Sequence, residues 1–157
     1  MPSQDDGEPS EAEQAQNLLD PILESLKTRF GQRWASVWLE WEPRHLVNIG
    51  VVEPTRGEIV DLAAQAQAVG WVARVVAVRY SERDLRAFHE HVLDVIQRYG
   101  RGMVPLSGPD VRLNKVQVVL SGRDDELVDD LIAAIPADAL VISVQPGIRV
   151  RPLAQVD

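Results

Sequence analysis

His89-Glu90-His91 puts two imidazoles and a carboxylate side by side, a grouping with the donor types of a metal site. The surrounding pattern is helical, and side chains two apart on a helix point to nearly opposite sides, so the rings do not converge on one ion. A zinc-protease arrangement needs histidines at i and i+4. Asp124, Asp125, Glu126, Asp129 and Asp130 gather carboxylates but lack the looped, glycine-containing frame of an oxygen cage. They read as a solvated helix face whose first turn suits negative charge. Ser81 and Ser121 precede helical patterns and read as helix caps, not nucleophiles held by a base, and no Gly-x-Ser-x-Gly elbow occurs. Gly100-Arg101-Gly102-Met103 lacks the third glycine and the helix start of a phosphate cradle, and reads as a linker. No catalytic, cofactor-binding or metal residue is therefore expected, and no cofactor. Of the four tryptophans, most read as core and sheet anchors, with Trp38 and Trp41 the candidates to touch a partner.

The elements that would carry these residues repeat a script. Apolar residues at 46–52 lead into Thr55-Arg56-Gly57-Glu58 and return at 72–78; those at 115–120 lead into Ser121-Gly122-Arg123-Asp124 and return at 139–144. Leu18, Leu19, Ile22, Leu26 and Phe30 recur at helical spacing, with Pro21 in a first turn capped by Asp20 and Gly31 at the end. Residues 36–42 and 46–52 read as a hairpin around Glu42-Pro43-Arg44-His45. Trp34, Trp38 and Trp41 also fit i, i+4, i+7, which would prolong the first helix; Gly31 and the alternation of Val37, Leu39 and Trp41 favour the strand.

Thr55 and Glu58 form a capping box for a helix whose stripe is Ile59, Leu62, Ala63, Ala66 and Val69, ended by Gly70. Ser81 with Asp84 starts another, with Leu85, Phe88, Val92, Val95, Ile96 and Tyr99 on its apolar face. Gly100, Gly102, Pro105, Gly108 and Pro109 mark an irregular connector between two modules, followed by a tight turn at 113–115. The last helix holds Leu127, Val128, Leu131, Ile132 and Ile135 and stops at Pro136. The expected fold is α+β: two related β-β-α-β modules, about 30–99 and 108–145, with an N-terminal helix and helices packed on antiparallel-rich mixed sheets in two layers.

At 157 residues and 45% hydrophobic content, one domain over 18–145 with a core shared by both modules is expected. With no cysteine, disulfides and thiolate sites are excluded. No apolar run approaches the roughly 20 residues that span a bilayer. Residues 1–17 hold five acids and no base, and read as a disordered acidic tail. That leaves the body near −3 of the total −8, without the broad positive face that phosphate neutralisation needs. Neither nucleic acid nor membrane is an expected partner. The N-terminus lacks the basic and apolar regions of a signal peptide, so a soluble cytoplasmic protein is the default, or a secreted one if a leader has been removed.

Phe30-Gly31 before Trp38-Leu39-Glu40, Leu46-Val47-Asn48-Ile49-Gly50-Val51, the run from Val75 through Arg79-Tyr80-Ser81-Glu82-Arg83-Asp84-Leu85, and Gly108-Pro109-Asp110 ahead of Asn114-Lys115-Val116-Gln117-Val118 carry a resemblance. Over 30–144 the chain resembles the prodomains of alpha-lytic-type and streptogrisin-type serine proteases, and standalone bacterial proteins sharing that fold. The resemblance implies a non-enzymatic module that templates or inhibits a protease, with its C-terminal tail in the substrate cleft. No protease follows here, so folding assistance in cis is not expected. The bacterial KH module is similar too, but no Gly-x-x-Gly clamp joins two helices.

These readings lead to a non-enzymatic, prodomain-like protein- or peptide-binding module acting in trans, through a sheet edge or the C-terminal tail at 146–157. Ile148 and Val150, alternating with Arg149 and Arg151, join Trp38 and Trp41 as expected contact residues. A regulatory or structural cytosolic domain is one alternative; a small hydrolase is another.

Overall fold

Ser10 and Glu13 start the first helix by satisfying each other's backbone amides: the Glu13 amide donates to the Ser10 hydroxyl at 3.2 Å and the Ser10 amide to the Glu13 carboxylate at 2.7 Å. The computed structural model describes residues 8–100 and 102–146. Helix α1 runs over Glu11–Phe30 and carries Pro21 inside it. The expected start at Asp20 is therefore corrected. A proline inside a helix costs one backbone bond, but the upstream capping box and the burial of Leu19, with Ala15 packed beside it, outweigh that loss. The acidic segment at 11–17 is helical as a result. Gly31 ends α1 at φ 54°, a backbone conformation that glycine tolerates at little cost, and its amide returns to the Lys27 carbonyl.

The chain divides into two compact units, Met1–Ala77 and Val78–Asp157. In the first, β1 (Trp34–Glu40) and β2 (Leu46–Val52) pair antiparallel, Val37 opposite Ile49 and Leu39 opposite Val47. Helix α2 (Arg56–Ala68) follows, and β3 (Val72–Val78) lies on the far side of β2, giving a mixed sheet in the order β1-β2-β3. Alternation sends Val47, Ile49 and Val51 to the face that meets Leu19, Leu26 and Phe30 of α1 and Leu62 and Ala66 of α2. Within the expected α2 stripe, Leu62, Ala66 and Val69 face inward, while Ile59 and Ala63 are exposed. At 3.6 residues per turn the buried stripe is narrower than the apolar pattern of this alanine-rich helix.

The second unit holds α3 (Glu82–Gln97), β4 (Leu106–Asp110), β5 (Lys115–Leu120), α4 (Asp125–Ala134) and β6 (Leu140–Val144), with strand order β4-β5-β6. β4 pairs antiparallel with β5 and β6 parallel to it, Val116 opposite Leu140 through Leu120 opposite Val144. The expected connector through Gly108 and Pro109 is in fact β4: an edge position lets proline stand in a strand, because its missing N–H faces away from the ladder. Asn114 takes φ 54° at the β4–β5 turn, and Asp110 accepts from the Arg112 and Leu113 amides at 3.0 Å each.

Among the described residues, buried side chains form one cluster in each unit. Helix α3 decides the division. Its Leu85, Val92 and Val95 join Val116, Val118 and Leu120 of β5 and Leu127 and Leu131 of α4, so the boundary falls ahead of α3 and not in the glycine-rich connector after it.

Candidate partner-binding edge

Aromatic side chains cluster at the turn of the first hairpin, between β1 and β2. Trp41 meets His45 edge-on, with centroids 5.3 Å apart, and Trp71 at 5.0 Å; His45 lies 5.0 Å from Trp71 in a tilted contact. Trp71 is 1% exposed and donates its indole N–H to the Ala15 carbonyl at 3.0 Å. Trp41 is half-buried against the core of its unit. Trp38 is half-buried on the opposite face of β1, in register with Asn48, whose amide donates to the Glu40 carboxylate at 2.8 Å. Ile148 and Val150 lie outside the described residues.

The other residues with potential chemistry are engaged as follows. His89 is half-buried, with Nε2 3.1 Å from the Ser107 hydroxyl, and His91 is exposed. Ser81 caps α3 in a box with Asp84. Ser121 corrects its expected role: it donates to the Gly102 carbonyl at 2.8 Å, and Asp124 caps α4 by accepting from the Leu127 amide. Tyr99 donates to Asp130, and this hydrogen bond, reinforced by desolvation and nearby acids, pushes its pKa up to about 12. Among the described residues no group of three or more His, Asp or Glu side chains is placed to hold a metal ion.

Among the described residues the two sheets have four edge strands, β1, β3, β4 and β6, and their ability to accept another strand differs. An edge is normally protected by a bulge, a charge or a proline. β1 has a register irregularity between Trp34 and Ser36, β3 carries exposed Arg74, and β4 carries Pro109. β6, Leu-Val-Ile-Ser-Val, has no charge or proline and pairs without interruption.

Its start is firmly held. Tyr80 donates to Asp138 at 2.6 Å and Arg79 pairs with the same carboxylate at 2.5 Å, just before β6. The Tyr80 hydrogen bond first, and the Arg79 charge after it, hold the Asp138 carboxyl below its ordinary value. At the other end the Gln145 amide donates to the Leu120 carbonyl at 2.8 Å. Because amides alternate sides along a strand, those of Val141 and Ser143 also face β5, while those of Ile142 and Val144 face the outer edge. Leu140 and Ile142 pack on the core, and Val144 is 43% exposed.

Ser143 adds a second irregularity of chemistry. Its hydroxyl is the buried side-chain polar atom that lacks a hydrogen-bond partner among the described residues. Such an atom carries an uncompensated desolvation cost of about 1–3 kcal/mol. The alternation of Leu140, Ile142 and Val144 identifies the strand, but edge status and the unpaired hydroxyl depend on the partners the fold supplies. No protein-family model matches the chain, and no curated protein matches it significantly.

Proposed function

We propose that this chain is a non-enzymatic, prodomain-like module that binds a protein or peptide in trans by accepting an extended segment along the outer edge of β6. The observation that carries this reading is the contrast among the four edges: among the described residues three have a protective feature and β6 has none. Strand addition draws its affinity from main-chain hydrogen bonds and its specificity from alternate side chains, so it requires no catalytic or phosphate-binding motif. The outward amides of Ile142 and Val144 supply that ladder, and the Tyr80–Asp138–Arg79 cluster holds the residues just before β6 in place.

Selection from a random peptide display library tests the reading directly. Enriched peptides are expected to alternate apolar and polar residues, and their amide shift perturbations should concentrate at 140–145. Val144→Lys places a charge at an exposed position of the edge and should weaken the selected peptides about tenfold or more, with an unchanged circular dichroism spectrum. Perturbations centred elsewhere, or affinity indifferent to V144K, would show the edge reading to be wrong.

A further inference from the structure

We propose that the strand accepted by β6 is β6 of a second copy of this chain, paired antiparallel about a two-fold axis that passes beside Ser143. The inference rests on the edge reading above and names its occupant. Antiparallel pairing about Ser143 sets Ile142 opposite Val144 of the other copy, and Val144 opposite its Ile142. These are the residues whose amides and carbonyls face outward, so both pairs exchange ladder hydrogen bonds. Ser143 then faces its own counterpart at a non-hydrogen-bonded position, where paired Cα atoms approach to about 4.5 Å and side chains are nearest. Rotation about χ1 turns the two hydroxyls toward each other, one donating and one accepting, and gives the unpartnered Ser143 oxygen its bond.

Three further features select a second copy and this register. β6 is uncharged, so it meets itself without like-charge repulsion. Pairing with the other edges of a second copy would bring in the β1 irregularity, Arg74 or Pro109. Moving the axis to Ile142 would set Ser143 against Val141, whose methyls offer no hydrogen bond. The contact is small: five-residue strands bury far less than the roughly 1,200 Å² of a stable interface, so the dimer is weak and concentration-dependent. With a chain charge of −8, salt should strengthen it by screening the repulsion between copies.

The absence of native cysteine makes introduced thiols clean reporters. Under mild oxidation Ser143→Cys should form a disulfide-linked dimer about tenfold faster than Val141→Cys or Gln145→Cys alone. A mixture of V141C and Q145C chains should cross-link to each other, because this register makes Val141 face Gln145. Unmodified chain should sediment with a growing dimer fraction toward about 1 mM, and V144K should remain monomeric. Oxidation of S143C no faster than of V141C, together with a monomeric wild-type chain, overturns the self-pairing. In that event V144K-sensitive peptide binding would keep the edge reading and reject only the partner; peptide binding that V144K leaves unchanged would reject the edge reading as well.

Discussion

Arg33 shows how much one side chain ties together. Its Nε donates to the Val52 carbonyl at 3.1 Å, its two terminal nitrogens grip Glu58 at 3.0 and 2.7 Å, and one of them also reaches the Glu53 carbonyl at 2.7 Å. Glu53 sits at φ 50°, so the guanidinium secures a backbone turn that is unfavourable for a residue with a Cβ. The Arg33 hydrogen bonds first, and the Thr55 amide after them, lower the Glu58 pKa from 4.5 to about 2. Between those values the unfolded chain binds more protons at this site than the folded one, so its contribution is present above pH 4.5 and is lost as pH falls through about 2. Glu58→Gln should therefore flatten the loss of stability across that window. Urea midpoints for both proteins at about pH 6, 4 and 2.5 check it; parallel decline would refute the assignment. Thr55-x-x-Glu58 is legible as a capping box, but Arg33, 25 residues away, is not.

Helix starts follow the same division at the scale of elements. Ser10-x-x-Glu13, Thr55-x-x-Glu58 and Ser81-x-x-Asp84 are local patterns, and each forms the reciprocal cap its spacing permits. The N-terminal helix is misread from Pro21 because proline at a first turn is a common start signal, whereas here Ser10 supplies the cap further upstream. Helix α4 has ten residues, too few to persist alone, so it relies on Asp124 and on the burial of Leu127 and Leu131. Asp124→Ala should cost about 1 kcal/mol and lower hydrogen-exchange protection at the Leu127 and Val128 amides. Ser121→Ala should leave those amides protected, since its hydroxyl bonds Gly102 and not α4. Equal loss in both variants would return the cap to Ser121. β4 was hidden for a related reason: glycine and proline usually signal a turn, but an edge strand has a side where a missing donor costs nothing.

For the whole molecule, the two clusters imply two separate contributions to stability. Leu62 is buried in the first and Leu131 in the second. Each truncation to alanine should cost about 2–5 kcal/mol through lost transfer energy and the cavity left behind. Because the residues share no cluster, the double variant should lose the sum to within about 0.5 kcal/mol. Hydrogen exchange would locate each effect, with L62A loosening α2 and β2 and L131A loosening α4 and β5. Coupling well beyond that margin would mean that the clusters act as one core. The α+β architecture and the helices packed on mixed sheets agree with the repeated script of the sequence. Apolar spacing located the inward faces of α3 and most of α4, but left Ile132 exposed at 50%.

What the chain determined by itself is local: which segments become helix or strand, where most helices are capped, and which residues alternate toward a core. Those outcomes depend on contacts within about one or two helical turns or on a periodicity of two or 3.6. Tertiary structure alone decided that α3 joins the second sheet, that Arg33 clasps Glu58, and that, among the described residues, β6 lies at a sheet edge and the Ser143 hydroxyl has no partner. Each of these depends on groups distant in sequence, because a hydrogen bond is satisfied or left open only when the fold brings its partner near.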